Sequence, residues 1–352
     1  MPLLPLFGHQ TLRDGFAERW RAGQLPASIL LHGPAGVGKQ RLALWLGQML
    51  MCTGDNAPCG ECQGCRYALA GQHPDLHWIF PRPRLKDDPG PDEASEDLEQ
   101  AIADRVRDHG LYKRPGGSEG IYLYIGRLLV QQASLTPAMA RCKMFVIGDA
   151  ERMVPQASSP EAANAFLKLL EEPPASTTFI LTSSEPASLL PTIRSRVVSF
   201  RVPRVAHDDM RRFLAEPAVR ERLGPGSTDE ERERLADGAP GRLLGHEEQA
   251  ATFTRARAFL EAAHGGREKW LRTAFAQGGK GARGAFSDVL DAVSVLLHER
   301  ARTAAAAGRD QSALAAARAV RAVEEAKLAT LQNVSPQLLS ARLLRQIAEL
   351  GA

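Results

Sequence analysis

Gly33-Pro-Ala-Gly-Val-Gly-Lys-Gln40 is the stretch that decides the fold of this chain. Its glycine and lysine spacing is that of a phosphate loop at every defining position but the last, where Gln40 stands in place of a serine or threonine. Ala27-Ser-Ile-Leu-Leu-His32, just before it, is a short apolar run of the kind that forms a buried parallel strand. After it, residues 39–51 carry the helix formers Leu42, Ala43, Leu44, Leu46 and Met49. Strand, glycine turn and helix in succession are the setting in which backbone N–H groups and a helix N-terminus cradle phosphate oxygens. Gly33, Gly36, Gly38 and Lys39 are therefore the candidate nucleotide-contacting residues, Lys39 as a point charge for the outer phosphates. The plainer alternative is a turn kept for folding, with no nucleotide bound.

Working outward, Lys143-Met-Phe-Val-Ile-Gly-Asp-Ala-Glu151 has the form of the acidic strand that holds magnesium in such proteins, but Gly148 sits where the acid is expected. Gln40 removes the hydroxyl ligand and Gly148 the carboxylate, so metal-dependent hydrolysis is disfavoured. Asp149 still offers a carboxylate one position later. Met144–Ile147 and Thr178–Thr182 read as strands, and residues 161–172 between them as a helix stopped by Pro173-Pro174. Val197–Arg201 reads as a further strand. Strands alternating with helices predict a parallel sheet covered on both faces.

Residues 81–120 change character. Pro81, Pro83, Pro89, Pro91 and Pro115-Gly-Gly117 surround an acidic, helix-permissive segment from Glu93 to Asp108. This pattern predicts a surface insertion with partial disorder. Beyond Pro203 the pattern is helical throughout, with short helices to about residue 246 and longer Ala/Leu/Arg-rich ones after it. Gly278–Gly281 marks a break, and Ser335-Pro336 opens a last helix whose apolar face is Leu339, Leu343, Ile347 and Leu350.

Composition narrows the class. The 352 residues suffice for two or three domains, and 44% hydrophobic with 24% charged residues is ordinary for a globular protein. No run of eighteen apolar residues predicts a membrane span, and the N-terminus lacks the basic start and cleavage site of a secretory signal. A formal charge of +3 is too small to argue nucleic-acid binding by itself.

Four of the five cysteines crowd together as Cys52-x6-Cys59-x2-Cys62-x2-Cys65. In a chain without a signal peptide, such spacing favours a metal over disulfides, and four thiolates with no open position favour structural zinc. Reduced or redox-active thiols and an iron–sulfur cluster are the alternatives. Cys142 reads as a small core residue beside a strand. Arg194-Ser-Arg196 follows Leu189-Leu-Pro-Thr-Ile193. A guanidinium there is either a surface charge or a group that stabilises a transferring phosphoryl on a neighbouring subunit.

Together, Leu31–Lys39, the four cysteines, Ala162-Ala-Asn-Ala-Phe-Leu-Lys-Leu-Leu-Glu-Glu-Pro-Pro174 and Thr192-Ile-Arg-Ser-Arg196 resemble the clamp-loader subunits of bacterial DNA polymerase III, most closely the delta-prime members of that AAA+ family. The resemblance spans nearly the whole chain. It implies a RecA-like AAA+ α/β domain with a parallel sheet over 1–203, holding a zinc element at 52–65 and the insertion at 81–120. A small helical lid over 204–246 and an all-α collar domain over 247–352 would follow, the collar packing into a ring of subunits through the apolar face of 336–350.

The implied function is a cytoplasmic, nucleoid-associated replisome component, part of a DNA-directed DNA polymerase (nucleotidyltransferase) holoenzyme. It would help load a sliding clamp onto primer-template DNA with ATP-hydrolysing motor subunits of the tau/gamma type and a delta subunit. By the resemblance, Arg196 matches the arginine of the family's Ser-Arg-Cys motif and acts in trans on the ATP of an adjacent motor, although Val197 replaces the cysteine. Cys52, Cys59, Cys62 and Cys65 would hold Zn2+, and the degenerate loop would bind no ATP. Gly241 falls where motors carry a γ-phosphate-sensing arginine. Two other readings stay open: a working ATP-hydrolysing motor, and a zinc-stabilised interaction protein of another pathway.

Overall fold

A computed structural model describes residues 2–85, 89–113, 119–153, 160–225, 228–244, 246–277, 283–331 and 334–351. Five short strands form one parallel sheet: β1 (Ser28–His32), β2 (Leu76–Ile79), β3 (Lys143–Ile147), β4 (Thr177–Ser183) and β5 (Val198–Arg201), in the order β2-β3-β4-β1-β5. The registers pair Leu30 with Leu181 and Ser199, and Phe145 with Phe179. β3 and β4 are buried along their whole length, as strands covered on both faces must be.

The helices of this part are α1 (Gln10–Arg21), α2 (Lys39–Met51), α3 (Gln63–Leu69), α4 (Pro91–Arg107), α5 (Leu123–Ser134), α6 (Pro160–Glu171) and α7 (Pro191–Arg194). The central β1 runs straight into the phosphate loop and α2, so the arrangement is the α/β RecA-like AAA+ one. Because all strands are parallel, the ends of β1, β3 and β4 open on the same edge of the sheet, where ligands of such folds bind. The core beneath that edge is aromatic and aliphatic, with Phe145 stacked on Phe179 at 5.1 Å and Leu42, Leu46, Ile29 and Leu31 fully buried.

Residues 204–244 add α8 (His207–Ala215), α9 (Pro217–Leu223), α10 (Asp229–Ala236) and a 3-10 turn at Pro240–Leu243. They share a small core of Val205, Met210, Phe213, Leu214, Val219 and Leu243. Thr228 and Glu231 form a reciprocal capping box that starts α10.

The described chain divides into two compact units, the first ending at Leu244 and the second over residues 246–351. The second unit is all helix: α11 (His246–Ala263), α12 (Gly266–Phe275), α13 (Arg283–Ala306), α14 (Asp310–Leu331) and α15 (Pro336–Leu350). Its core gathers Phe259, Leu260, Phe286, Leu290, Val293, Leu297 and Val323. Across α13 and α14, Lys327 pairs with Asp291 at 2.8 Å and with Glu324 at 3.2 Å.

Three expectations change. Residues 91–107 are not a loose surface segment: α4 buries Ala94, Leu98, Ala101 and Val106 in the main core, and Arg82 clasps Asp97 through two bonds of 3.0 and 3.1 Å. The acidic residues that suggested disorder occupy the outer face of an amphipathic helix. The apolar face of 336–350 is also spent locally. Leu339, Leu343 and Ile347 are buried inside their own unit, so that face is not available for packing between subunits. Ser335 does stand at the start of α15, but its side chain makes no capping bond.

The third change is β2, which the sequence reading lacks. Leu-His-Trp-Ile is four residues long, and its polar His77 hides on the stack with Phe145, which gives no strand period to read. Cys142 is buried as expected, and burial pushes its thiol up to about 11. The breaks at Pro115–Gly117 and Gly278–Gly281 lie outside the described residues. Among the described residues no helix is long and apolar enough to cross a membrane.

Candidate functional site: a closed phosphate loop, a surface arginine and a four-cysteine cluster

The phosphate loop joins β1 to α2, with Gly36 and Gly38 at positive φ. Lys39 is buried, and its ammonium donates to the loop itself, to the carbonyls of Gly33 at 3.0 Å and Pro34 at 2.9 Å, and to Ser184 Oγ at the end of β4 at 2.9 Å. The point charge meant for phosphate oxygens is thus satisfied by the protein.

Gln40 departs furthest from a magnesium site. Its amide is buried and bonded at both its nitrogen and its oxygen: Nε2 donates to Asp149 Oδ2 at 2.9 Å, while Oε1 accepts from Trp78 Nε1 at 3.0 Å and from Arg105 Nη1 at 3.3 Å. The amide presses directly against Gly148. A Cβ at position 148 would lie 2.4 Å from Gln40 Cδ and 2.5 Å from its Oε1 and Nε2, far inside contact distance. The two altered metal positions are therefore one event in space. The glutamine fills the room that an acidic side chain at 148 would need, so an acid cannot return at 148 while the Gln40 amide keeps its place.

Arg105 of α4 completes the closure. Its guanidinium lies 3.3 Å from the Phe80 ring centre and 3.7 Å from that of Tyr112, and Trp78 flanks it at 5.0 Å. Cation–π stacking holds the group desolvated but compensated. Burial pushes the Tyr112 hydroxyl up to about 12, so it stays neutral beside the guanidinium. A helix from the 81–120 segment thus delivers a fixed cation beside the altered metal positions.

The 3-10 turn Pro240–Leu243 lies directly on the loop. Gly241 N–H donates to the Gly36 carbonyl at 2.9 Å, and a Cβ on Gly241 would lie 2.8 Å from Gly36 Cα. A side chain at this position would collide with the loop backbone, so the glycine permits the contact and excludes an arginine there. Arg242, one residue on, pairs instead with Asp237 at 3.2 Å. From the other side His9 meets the Val37 carbonyl at 2.8 Å through Nε2, and burial holds its imidazole below the usual value.

Arg196 follows α7 at the surface. Its Nη1 donates to the Thr192 carbonyl at 2.7 Å and to Ser195 Oγ at 3.2 Å, and its Nη2 pairs with Glu171 at the end of α6. Its side chain is 27% exposed. Leu190 and Val198, large apolar side chains about half exposed, flank it in sequence.

The four cysteines do come together. Cys52 ends α2, Cys62 caps α3 and Cys65 lies in its first turn. One ligand atom from each of Cys52, Cys59, Cys62 and Cys65 lies within 4.8 Å of all the others. Cys59 to Cys65 and Cys62 to Cys52 are both 3.9 Å between sulfurs. A tetrahedron with metal–sulfur bonds of about 2.3 Å sets its sulfurs about 3.8 Å apart, so the cage fits one such ion. Backbone N–H groups of Gly54 and Cys59 point at Cys52 Sγ, and those of Cys62 and Cys65 at Cys59 Sγ and Cys62 Sγ, all at 3.3–3.4 Å. These donors favour thiolates. The cluster is a possible metal-binding site made entirely of sulfur.

Sequence reasoning placed Lys39, Gln40, Gly148, Asp149, Arg196 and the cysteines. It missed Trp78, Arg105, Ser184 and Glu171, which hold the first group in place. Trp78 lay in an unread strand and Arg105 in a segment read as surface, so no local signal marked them.

A family model described as DNA polymerase III, delta subunit, matches residues 8–206, more than half of the chain. The DNA polymerase III subunit delta' of Pseudomonas aeruginosa is 34% identical over 179 residues, covering 50% of this chain and 43% of that protein. The subunit delta' of Escherichia coli K12 is 30% identical over 179 residues, covering 50% and 42%. The subunit tau of Salmonella typhimurium is 28% identical over 209 residues, covering 59% and 26%. The matched stretch spans less than half the length of each relative. Residues 8–206, matched by the family model, contain the phosphate loop, the four cysteines and Arg196, and on that match the chain belongs to the DNA polymerase III delta-prime subunit family.

Proposed function

We propose that this chain is a clamp-loader subunit that does not hydrolyse ATP. It would help place a ring-shaped sliding clamp on primed DNA, in a cytoplasmic replisome, together with motor subunits of the tau/gamma type and a delta subunit. The observation that carries this reading is the Gln40 amide seated against Gly148, in the space a metal-binding carboxylate requires. Gly241 seated on Gly36 supports it. Arg196, near the surface, acts in trans on ATP held by an adjacent motor, where a guanidinium stabilises charge on the transferring phosphoryl. Residues 204–246 serve as the lid and 247–352 as the collar. Zn2+ held by Cys52, Cys59, Cys62 and Cys65 fastens the segment between α2 and α3, and its part is structural because four sulfurs leave no open position.

The second reading is an ATP-hydrolysing motor, favoured by the intact glycine spacing, Lys39 and the Asp149 carboxylate. Equilibrium binding of a fluorescent ATP analogue to the isolated chain separates the two. We expect no magnesium-dependent binding and no change on Lys39→Ala. Micromolar, magnesium-dependent binding with turnover that Lys39→Ala abolishes would establish the motor instead.

In a complex reconstituted with motor subunits, delta subunit, clamp and primed DNA, Arg196→Ala should slow the DNA-stimulated ATPase several-fold while the complex still assembles. An unchanged rate would remove the trans-arginine role.

Elemental analysis of the purified chain should find about one zinc per chain, and chelation should lower the melting temperature because metal binding is coupled to folding. A metal-free preparation with the same melting temperature would contradict a structural zinc.

A further inference from the structure

Glu171 is placed with unusual firmness for a surface carboxylate. It is the last residue of α6, whose preceding residue Leu170 is 2% exposed and packed into the main core. The Leu170 carbonyl accepts a hydrogen bond from Ser28 Oγ at 3.3 Å, and Ser28 is the first, buried residue of β1. The end of α6 is thus tied to the strand that leads into the phosphate loop. Pro173-Pro174 follows and stops the helix, so Glu171 cannot be drawn into a longer one.

A carboxylate in the last turn of a helix is electrostatically unfavourable unless a cation answers it, since the exposed carbonyls there already carry partial negative charge. The cation that answers is Arg196, and the remaining contacts of that guanidinium come from one turn of α7. Nη1 spends its donors on the Thr192 carbonyl and Ser195 Oγ, Nη2 reaches Glu171, and Nε is buried with no partner among the described residues. Thr192 and Ser195 move with α7 itself. Glu171 is the contact that references the arginine to the sheet.

We propose that Glu171 is a positioning residue for Arg196: its carboxylate fixes the guanidinium, near the surface, in the orientation from which it meets a phosphate held by a neighbouring subunit. This rests on the trans-arginine reading. A long arginine chain left to itself loses orientation among many rotamers, and an unoriented donor contributes little where charge develops. Glu171 touches neither the nucleotide nor the reacting atoms and acts through Arg196 alone.

The test is steady-state, DNA-stimulated ATPase of the reconstituted complex with four variants, each first shown to assemble by gel filtration. Glu171→Ala should lower kcat several-fold with KM for ATP unchanged. Glu171→Gln, which keeps an acceptor oxygen at the same reach, should retain most of the rate. Glu171→Ala added to Arg196→Ala should slow it no further, because the two residues work as a unit. A wild-type rate for Glu171→Ala beside a slow Arg196→Ala overturns the positioning role and leaves the arginine's role intact. So does a Glu171→Gln rate no better than that of Glu171→Ala, or additional slowing in the double variant, which a merely structural carboxylate would produce. A full rate for Arg196→Ala overturns both.

Discussion

The contact between the Gln40 amide and Gly148 constrains everything else at the sheet edge. A hydroxyl at position 40 is small and leaves room for water, a magnesium ion and an acid at the end of β3. A glutamine is longer, carries a donor and an acceptor, and once buried must have both satisfied. Trp78 and Arg105 supply the donors, Asp149 the acceptor, and Gly148 the space. A buried polar network of this kind is worth keeping only when complete, so the surrounding residues are bound to one another by the same requirement.

From that constraint the rest follows in order. Lys39 donates to the carbonyls of its own loop and to Ser184. The loop backbone at Gly36 accepts from Gly241 of the 3-10 turn of residues 240–243. α4, fastened by the Arg82–Asp97 clasp, delivers Arg105 against Trp78, Phe80 and Tyr112, a cation that belongs to the protein. Arg196 lies apart from this network, anchored through Glu171 to the end of α6. On the proposed function, a guanidinium separated from the phosphate loop is the group that serves a neighbour's nucleotide.

Much of this was legible in the chain. The glycine spacing and the apolar run before it gave the central strand, the loop and α2, because both signals are local and periodic. The x2 cysteine spacing gave the sulfur cage for the same reason. Gln40 and Gly148 were each visible as departures, but 108 positions separate them, and nothing in the sequence says that one side chain occupies the other's place. That fact needs the register of β1, β3 and β4. α4 was misread because its acidic outer face outweighed four buried apolar positions spaced along one side. The apolar face of α15 was read correctly as apolar and wrongly as free, since periodicity shows that a face must be covered but not by what.

The central claim is that Gln40 and Gly148 share one space, and a double-mutant stability cycle tests it most directly. Gly148 has no left-handed backbone angle, and a Cβ there would meet the end of the Gln40 side chain, which its bonds to Asp149, Trp78 and Arg105 hold in place. Gly148→Ala should cost about 1–3 kcal/mol by overpacking, and Gln40→Ala about 1–3 kcal/mol by stranding the Trp78 N–H. In the double variant, measured by urea unfolding, the second cost should largely vanish, leaving a coupling of about 1 kcal/mol or more. Costs that add to within about 0.5 kcal/mol would show that the two positions are independent and would contradict the account.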